Sequence, residues 1–124
     1  MILGIGCDLI EVERIRTAIE KGGFVERVYT ESEKQFCTNK QGLPKYESYA
    51  ARFSAKEAFV KALGTGFRQG SFQDIEILDD TLGKPKIYLY GTFAKLATNM
   101  GVSKIHVSLS HVSAIAMAQV ILEK

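Results

Sequence analysis

Two carboxylates and one amine stand in this sequence where phosphate chemistry needs them. Glu57 and Lys61 are four residues apart, the spacing that puts two side chains on one strip of a helix, and Ser54 lies one turn earlier on the same strip. Asp8 follows Gly4 and Gly6 at alternate positions of the apolar, β-branched run from Ile2 to Ile10, so in a strand all three share one face. Glycine inside a strand weakens it and marks a place where a ligand or another backbone comes close. Two carboxylates are the usual protein share of a magnesium site, whose other positions are filled by water and phosphate oxygens. Lys61 adds positive charge for the same phosphates. Plainer readings compete with this one: Glu57 and Lys61 as an exposed pair worth about 0.2–0.5 kcal/mol, and Asp8 as the N-cap of the helix that follows.

The element that must position Glu57 and Lys61 is a central helix running from near Lys45 to Leu63. It contains good helix formers without interruption and is closed by Gly64, a residue suited to the left-handed conformation that ends a helix. With each residue placed about 100° after the last, Tyr49, Phe53 and Val60 form one apolar arc, and Ala51, Ala55, Ala58 and Ala62 form another. Arg52 and Lys56 make a second charged strip, with Arg52 roughly 140° from Glu57. A helix apolar on so much of its surface is buried, and its charges need partners.

The rest of the chain reads as short elements around that helix. In the first strand Leu3, Ile5, Cys7 and Leu9 are the expected core face. An amphipathic helix follows over Glu11 to Lys21, ended by Gly22 and Gly23; Phe24 to Val28 is a short helical piece. Thr30 is the N-cap and Glu33 the capping-box partner of a helix reaching about Cys37. Asn39 to Pro44 is a polar loop with Gly42 and Pro44 as breakers. Gly66 to Gly70 is a glycine-punctuated loop able to turn N–H groups toward phosphate. Strands are expected over Ser71 to Leu78 and Pro85 to Tyr90, a helix over Thr92 to Met100, and a hairpin from Lys104 to Ser110 and Ala114 to Leu122. Helices gathered in the first half and strands in the second define an α+β class with an antiparallel sheet and helices packed around a long central one.

Composition narrows the function. The 124 residues fit one domain, 1–124, and a formal net charge of +2 gives no case for a general nucleic-acid binder. No run reaches the roughly 20 apolar residues of a membrane span, and the N-terminal residues lack the pattern of a signal peptide, so a cytoplasmic location is expected. Cys7 and Cys37 have no metal-ligand spacing and read as free thiols. Neither a P-loop nor a Rossmann glycine fingerprint is present. His106 and His111 lie on opposite faces of one strand and do not share a metal; His111, at the strand end, is placed to hydrogen-bond a phosphate.

Three blocks in order, Gly4 to Ile10, Arg52 to Gly66 and His106 to His111, with Ser71 to Ile77 and Gly83-Lys84-Pro85 between them, closely resemble the short bacterial 4′-phosphopantetheinyl transferases, the holo-acyl-carrier-protein synthase family. The resemblance covers essentially the whole chain. It implies transfer of 4′-phosphopantetheine from coenzyme A to a serine of apo acyl carrier protein, with release of adenosine 3′,5′-bisphosphate, in support of fatty acid synthesis. Magnesium would be held by Asp8 and Glu57 with the pyrophosphate of coenzyme A, and Lys61 would stabilise the charge that builds on the phosphates. Glu57, directly or through a water, is the candidate base, with a metal-bound water as the alternative. Arg52 and His111 would bind the 3′-phosphate, Lys84 and Pro85 would lie near the adenine, and Gly64 would belong to the coenzyme site. Val112 stands where some members carry a hydroxyl residue. Docking of the acidic carrier protein is expected on the first helix at Arg14, Arg16 and Lys21. The resemblance also implies a homotrimer with sites between subunits. The wheel gives that an independent reason, since Arg52 and Glu57 leave different sides of one helix yet are assigned to one ligand; part of the helix's apolar surface would then face a neighbour. The reading from another class is a binding module that holds the nucleotide or the carrier and transfers nothing.

Overall fold

The computed structural model describes residues 1–39, 43–67 and 70–124. In chain order the elements are β1 (Ile2–Glu11), α1 (Val12–Glu20), α2 (Phe24–Val28), α3 (Glu31–Thr38), α4 (Leu43–Leu63), β2 (Ile75–Asp79), β3 (Pro85–Leu89), α5 (Gly91–Met100), β4 (Lys104–His111) and β5 (Ile115–Glu123). The class is α+β, and the strands form two antiparallel sheets rather than one: β1-β5-β4 and the hairpin β2-β3. Phe72–Asp74, expected as strand, is a single 3₁₀ turn. There Asp74 accepts from the Ser71 N–H, and this local bond competes with extension.

α4 is the axis of the molecule. One core cluster packs Ala55, Phe59, Val60, Ala62 and Leu63 against Ile75, Ile77, Phe93 and the inner residues of β5; a second packs Tyr49, Ala50 and Ala51 against Val12, Ile15, Val28, Tyr29 and Cys37. Truncating a residue such as Phe59, fully buried here, costs about 3–5 kcal/mol. The helix begins at Leu43, two residues earlier than expected, because Pro44 falls in the first turn, where its missing N–H is not needed. Gly42, expected as a breaker, lies outside the described residues. The apolar wrap of α4 is satisfied within the chain, by the β1-β5-β4 sheet on one side and α1, α3 and β2 on others. The expectation that part of this helix faces a neighbour is therefore corrected.

The polarity of β1 is also corrected. Ile5 and Leu9 are 61% and 64% exposed and Cys7 is exposed, while Gly4, Gly6 and Asp8 turn toward α4. The reason is distance. A Cβ on Gly4 would lie 2.1 Å from the Ala62 carbonyl oxygen, and one on Gly6 1.9 Å from that of Ala58. Strand and helix thus touch backbone to backbone, as an interior glycine permits, and Ile5, Cys7 and Leu9 are left on the other face, while Leu3, at the irregularity in register between Ile2 and Gly4, packs partly buried against the core as expected. Across that face Ile5 pairs with Ile121 and Leu9 with Met117, and Ile115 extends the apolar surface.

The capping box of α3 forms as expected: the Glu33 N–H donates to Thr30 Oγ1 at 3.3 Å and the Thr30 N–H to Glu33 Oε1 at 2.9 Å. Glu33 does more than cap. It is fully buried, accepts from the Ile77 N–H at 2.8 Å, and forms an ion pair with the fully buried Lys56 at 2.8 Å. Lys56 also donates to the carbonyls of Phe72, at 2.9 Å, and Ile75. Burial pulls the Lys56 ammonium below its ordinary pKa, against the opposing pull of Glu33.

Candidate functional site

Asp8, Ser54, Glu57 and Lys61 come together where β1 crosses α4. Asp8 is a strand residue: the N-cap of α1 is Glu11, with no side-chain cap bond, so the capping role for Asp8 falls away. The two glycines bring β1 close enough for the fully buried Ser54 to reach Asp8. Its Oγ lies 3.0 Å from Asp8 Oδ2 and 2.9 Å from the Asp8 carbonyl oxygen, and its one hydroxyl proton is shared between them. Lys61 Nζ donates to Asp8 Oδ1 at 3.2 Å and to the Cys7 carbonyl at 3.0 Å. Two donors of the ammonium are thereby used and a third is left over.

Glu57, half-buried beside them, has its carboxyl pKa raised, first by burial and then by the Asp8 charge, with Lys61 pulling the other way. The two carboxylates are thus near enough to repel each other. A divalent cation relieves that repulsion, so the donor set fits magnesium. Among the described residues no group of three or more His, Cys, Asp or Glu side chains is gathered for a metal; magnesium does not need one, because it is held by one or two carboxylates plus substrate oxygens. Gly64 closes α4 with φ at 80° and donates its N–H to the Val60 carbonyl at 2.9 Å, one turn beyond Lys61.

A second cluster forms on another side of α4. Arg52 donates from Nη1 to Ser48 Oγ at 3.2 Å and from Nη2 to Asp79 Oδ1 at 3.4 Å, and its guanidinium lies 4.0 Å from the Phe36 ring centroid. Its Nε is buried and has no hydrogen-bond partner among the described residues. An orphaned buried donor on a cation is costly unless a ligand completes it. His111 Nδ1 is 3.5 Å from Glu47 Oε2. These residues border a pocket of about 480 Å³, closed by Gly83, Pro85 and Leu109. A planar cationic fork and an imidazole beside apolar walls can take a phosphate next to a flat ring. Asp8, Ser54, Glu57 and Lys61 do not line this pocket.

The predicted residues divide accordingly. Asp8, Glu57 and Lys61 meet; Arg52, Pro85 and His111 meet elsewhere. Lys84 does not border the Arg52 pocket and instead lines a cleft between β3 and β4 with Lys86, Tyr88 and His106. Pro85 borders both the Arg52 pocket and this cleft, whereas Lys84, just before β3, borders only the cleft. His106 Nε2 is bound 2.9 Å from Glu123 Oε1, apart from His111. On α1, Arg14 and Lys21 flank an open hollow with Thr17 and Ala18, whereas Arg16 is drawn to Glu20 at 3.5 Å and Glu13 at 4.0 Å and lies 5.6 Å from the Tyr46 ring centroid. Arg68 and Gln69 of the glycine-punctuated loop lie outside the described residues.

Sequence reasoning placed Ser54 on the Glu57 strip without a role, and it missed Ser48, Glu47 and Asp79 around the second cluster. Ser48 was within reach of helical spacing, four residues before Arg52. Asp79 arrives from a distant hairpin, and no local signal announces it.

Comparison with known proteins identifies the family. Residues 4–118 match the 4′-phosphopantetheinyl transferase superfamily. A holo-[acyl-carrier-protein] synthase of Solibacter usitatus is 47% identical over 126 residues, covering 99% of both chains. The crystal structure of the Neisseria meningitidis holo-[acyl-carrier-protein] synthase superposes with a TM-score of 0.90 at 36% identity over 100% of each chain. That of the Bacillus anthracis enzyme, in complex with CoA (3′,5′-ADP), gives 0.83 at 40% identity over 98% of this chain and 96% of that one. Sequence and fold converge, and the chain belongs to the holo-[acyl-carrier-protein] synthase family of transferases, within the 4′-phosphopantetheinyl transferase superfamily.

Proposed function

We propose that this chain, as a single domain, transfers the 4′-phosphopantetheine group of coenzyme A to a serine of apo acyl carrier protein, releases adenosine 3′,5′-bisphosphate, and so serves fatty acid synthesis in the cytoplasm. The observation that carries the reading is the pair of clusters on one helix: a carboxylate pair with a lysine at one, and an arginine with an uncompleted buried donor at the other.

Arg52 and His111 bind the 3′-phosphate, with Arg52 held in orientation by Ser48, Asp79 and the Phe36 ring and the adenine resting against Pro85. Asp8 and Glu57 would hold magnesium together with the pyrophosphate, and the metal would supply charge neutralisation there. Lys61 points its spare donor at the same oxygens and stabilises the leaving phosphate. The carrier serine oxygen bonds to the β-phosphorus as the bond from that phosphorus to the bridging oxygen breaks, and the serine proton must leave. Glu57 takes it, directly or through a water. Arg14 and Lys21 steer the acidic carrier to α1, with Arg16 contributing charge from within its own ion pairs.

The two clusters lie on different sides of α4 and serve one site when they come from different subunits, in the homotrimer that the family resemblance implies. The outer apolar face of β1 and β5, exposed in the single chain, supports self-association. The test is the intact mass of apo acyl carrier protein after mixing with this protein, coenzyme A and magnesium. A gain of one phosphopantetheine group is expected, abolished by chelator; an unchanged mass with carrier and coenzyme A both bound would leave a binding module.

A further inference from the structure

Lys61 occupies the Asp8 carboxylate from the side on which it is open. Asp8 Oδ2 is held at 3.0 Å by Ser54, whose side chain is fully buried and cannot withdraw. Asp8 Oδ1 is held at 3.2 Å by Lys61, whose side chain is 54% exposed while that of Asp8 is 14% exposed. The two grips differ in kind. One is a fixed hydroxyl on the helix interior; the other is an ammonium on a flexible four-carbon stem, in an exposed ion pair of a sort worth only about 0–1 kcal/mol. An incoming cation that takes Asp8 therefore exchanges with the lysine and leaves the serine in place.

We infer that Lys61 is a stand-in for the metal: it neutralises Asp8 while the site is empty, is displaced from Oδ1 when a divalent cation binds, and is thereby released toward the phosphates. This rests on the metal site proposed above at Asp8 and Glu57. Charge counting favours the exchange. Asp8, Glu57 and Lys61 sum to one negative charge without metal, so an anionic pyrophosphate is repelled. Adding a divalent cation makes the sum one positive charge and frees the donor that Asp8 held, so that two of the three lysine donors are available while the Cys7 carbonyl keeps one. Loading of the metal and arming of Lys61 are then one event, and Ser54 is the positioning residue that keeps Asp8 from following the lysine out.

Two measurements test it, both with Mn²⁺ as the probe and with no coenzyme A present. In crystals of the whole protein soaked in millimolar Mn²⁺, anomalous scattering is expected between Asp8 and Glu57, with Lys61 Nζ beyond hydrogen-bond distance of Asp8 Oδ1. In solution, Lys61→Met should bind Mn²⁺ roughly tenfold more tightly than the wild type by electron paramagnetic resonance of the free ion, because a competing cation a few ångströms away is gone. Lys61 is half exposed, so this variant folds. Mn²⁺ bound at Asp8 with the lysine still on Oδ1, or a Lys61→Met protein whose affinity is equal or weaker, overturns the exchange while leaving the metal site standing. Absence of Mn²⁺ from Asp8 and Glu57 in both measurements overturns the exchange, and its absence again when coenzyme A is added overturns the metal site as well.

Discussion

Lys56 and Lys61 sit five residues apart on the same helix and have opposite fates. Lys56 is fully buried and spends all three ammonium donors, on Glu33 and on the carbonyls of Phe72 and Ile75. Lys61 is half exposed, uses two donors at 3.0 and 3.2 Å, and keeps one. A saturated cation ties α3, α4 and the start of β2 together, and nothing is left with which to meet a substrate. An unsaturated one holds the fold weakly and is available. What separates a structural lysine from a catalytic one here is the number of donors already satisfied and the ease of leaving, more than its charge or its helix.

That contrast breaks first at the level of whole-protein behaviour. Lys56→Met leaves Glu33 buried without its counter-charge and should lower the unfolding free energy by ~3–5 kcal/mol, measured by urea denaturation. Lys61→Met should change it by less than ~1 kcal/mol yet lower kcat/KM by ~10²–10³. Equal stability losses would erase the distinction between the two residues.

The same helix also separates Glu57 from Arg52, and refolded mixtures sharpen that separation. Glu57→Gln and Arg52→Ala proteins, each nearly inactive, should recover activity well above the sum of the parents when unfolded and refolded together, because some mixed assemblies then contain one intact site. Mixed assemblies that form and stay inactive would place both residues in one chain's site.

A smaller effect is expected on α1, where Arg14 is open and Arg16 is paired. Arg14→Glu should raise the KM for carrier protein several-fold at low salt and leave that for coenzyme A nearly unchanged, with Arg16→Glu milder. The reverse order would make the paired arginine the docking residue.

The smallest effect belongs to pH. Glu57 has a folded-state pKa raised above its ordinary 4.5, so between those values the native state binds more proton than the unfolded one. Metal-free stability from this group is highest below the ordinary value and falls as pH rises to the folded pKa. Thermal unfolding of Glu57→Gln without metal should lack that component of the decline; a pH dependence identical to the wild type would remove Glu57 as its source.

Much of this was legible beforehand, and the failures share a cause. Helical spacing located Glu57, Lys61 and the closing Gly64, and Thr30-to-Glu33 spacing located a capping box, because each signal lies within a turn or two of chain. The glycines of β1 announced a close approach, but alternation alone chose the wrong inner face for Ile5, Cys7 and Leu9, though not for Leu3. An apolar residue normally wins the interior, and here backbone contact with α4 left no room for one. Lys56 and Arg52 looked alike on the wheel; their partners Glu33, Asp79 and the carbonyls of Phe72 and Ile75 come from elsewhere in the chain, which no local pattern encodes. Lys84 shares the β3 and β4 cleft with Pro85 and does not reach the Arg52 pocket that Pro85 also borders, a placement set by strands distant in the chain.

The contact of Gly4 and Gly6 with the carbonyls of Ala62 and Ala58 acts on the site as a machinist's stop acts on a workpiece. Main chain meets main chain, so the gap between the strand that carries Asp8 and the helix that carries Glu57 is set by parts common to every residue type. Core side chains elsewhere can be exchanged, and the packing around them can loosen or tighten with temperature, without moving that datum. A tolerance that would otherwise accumulate over many side-chain contacts is held by two.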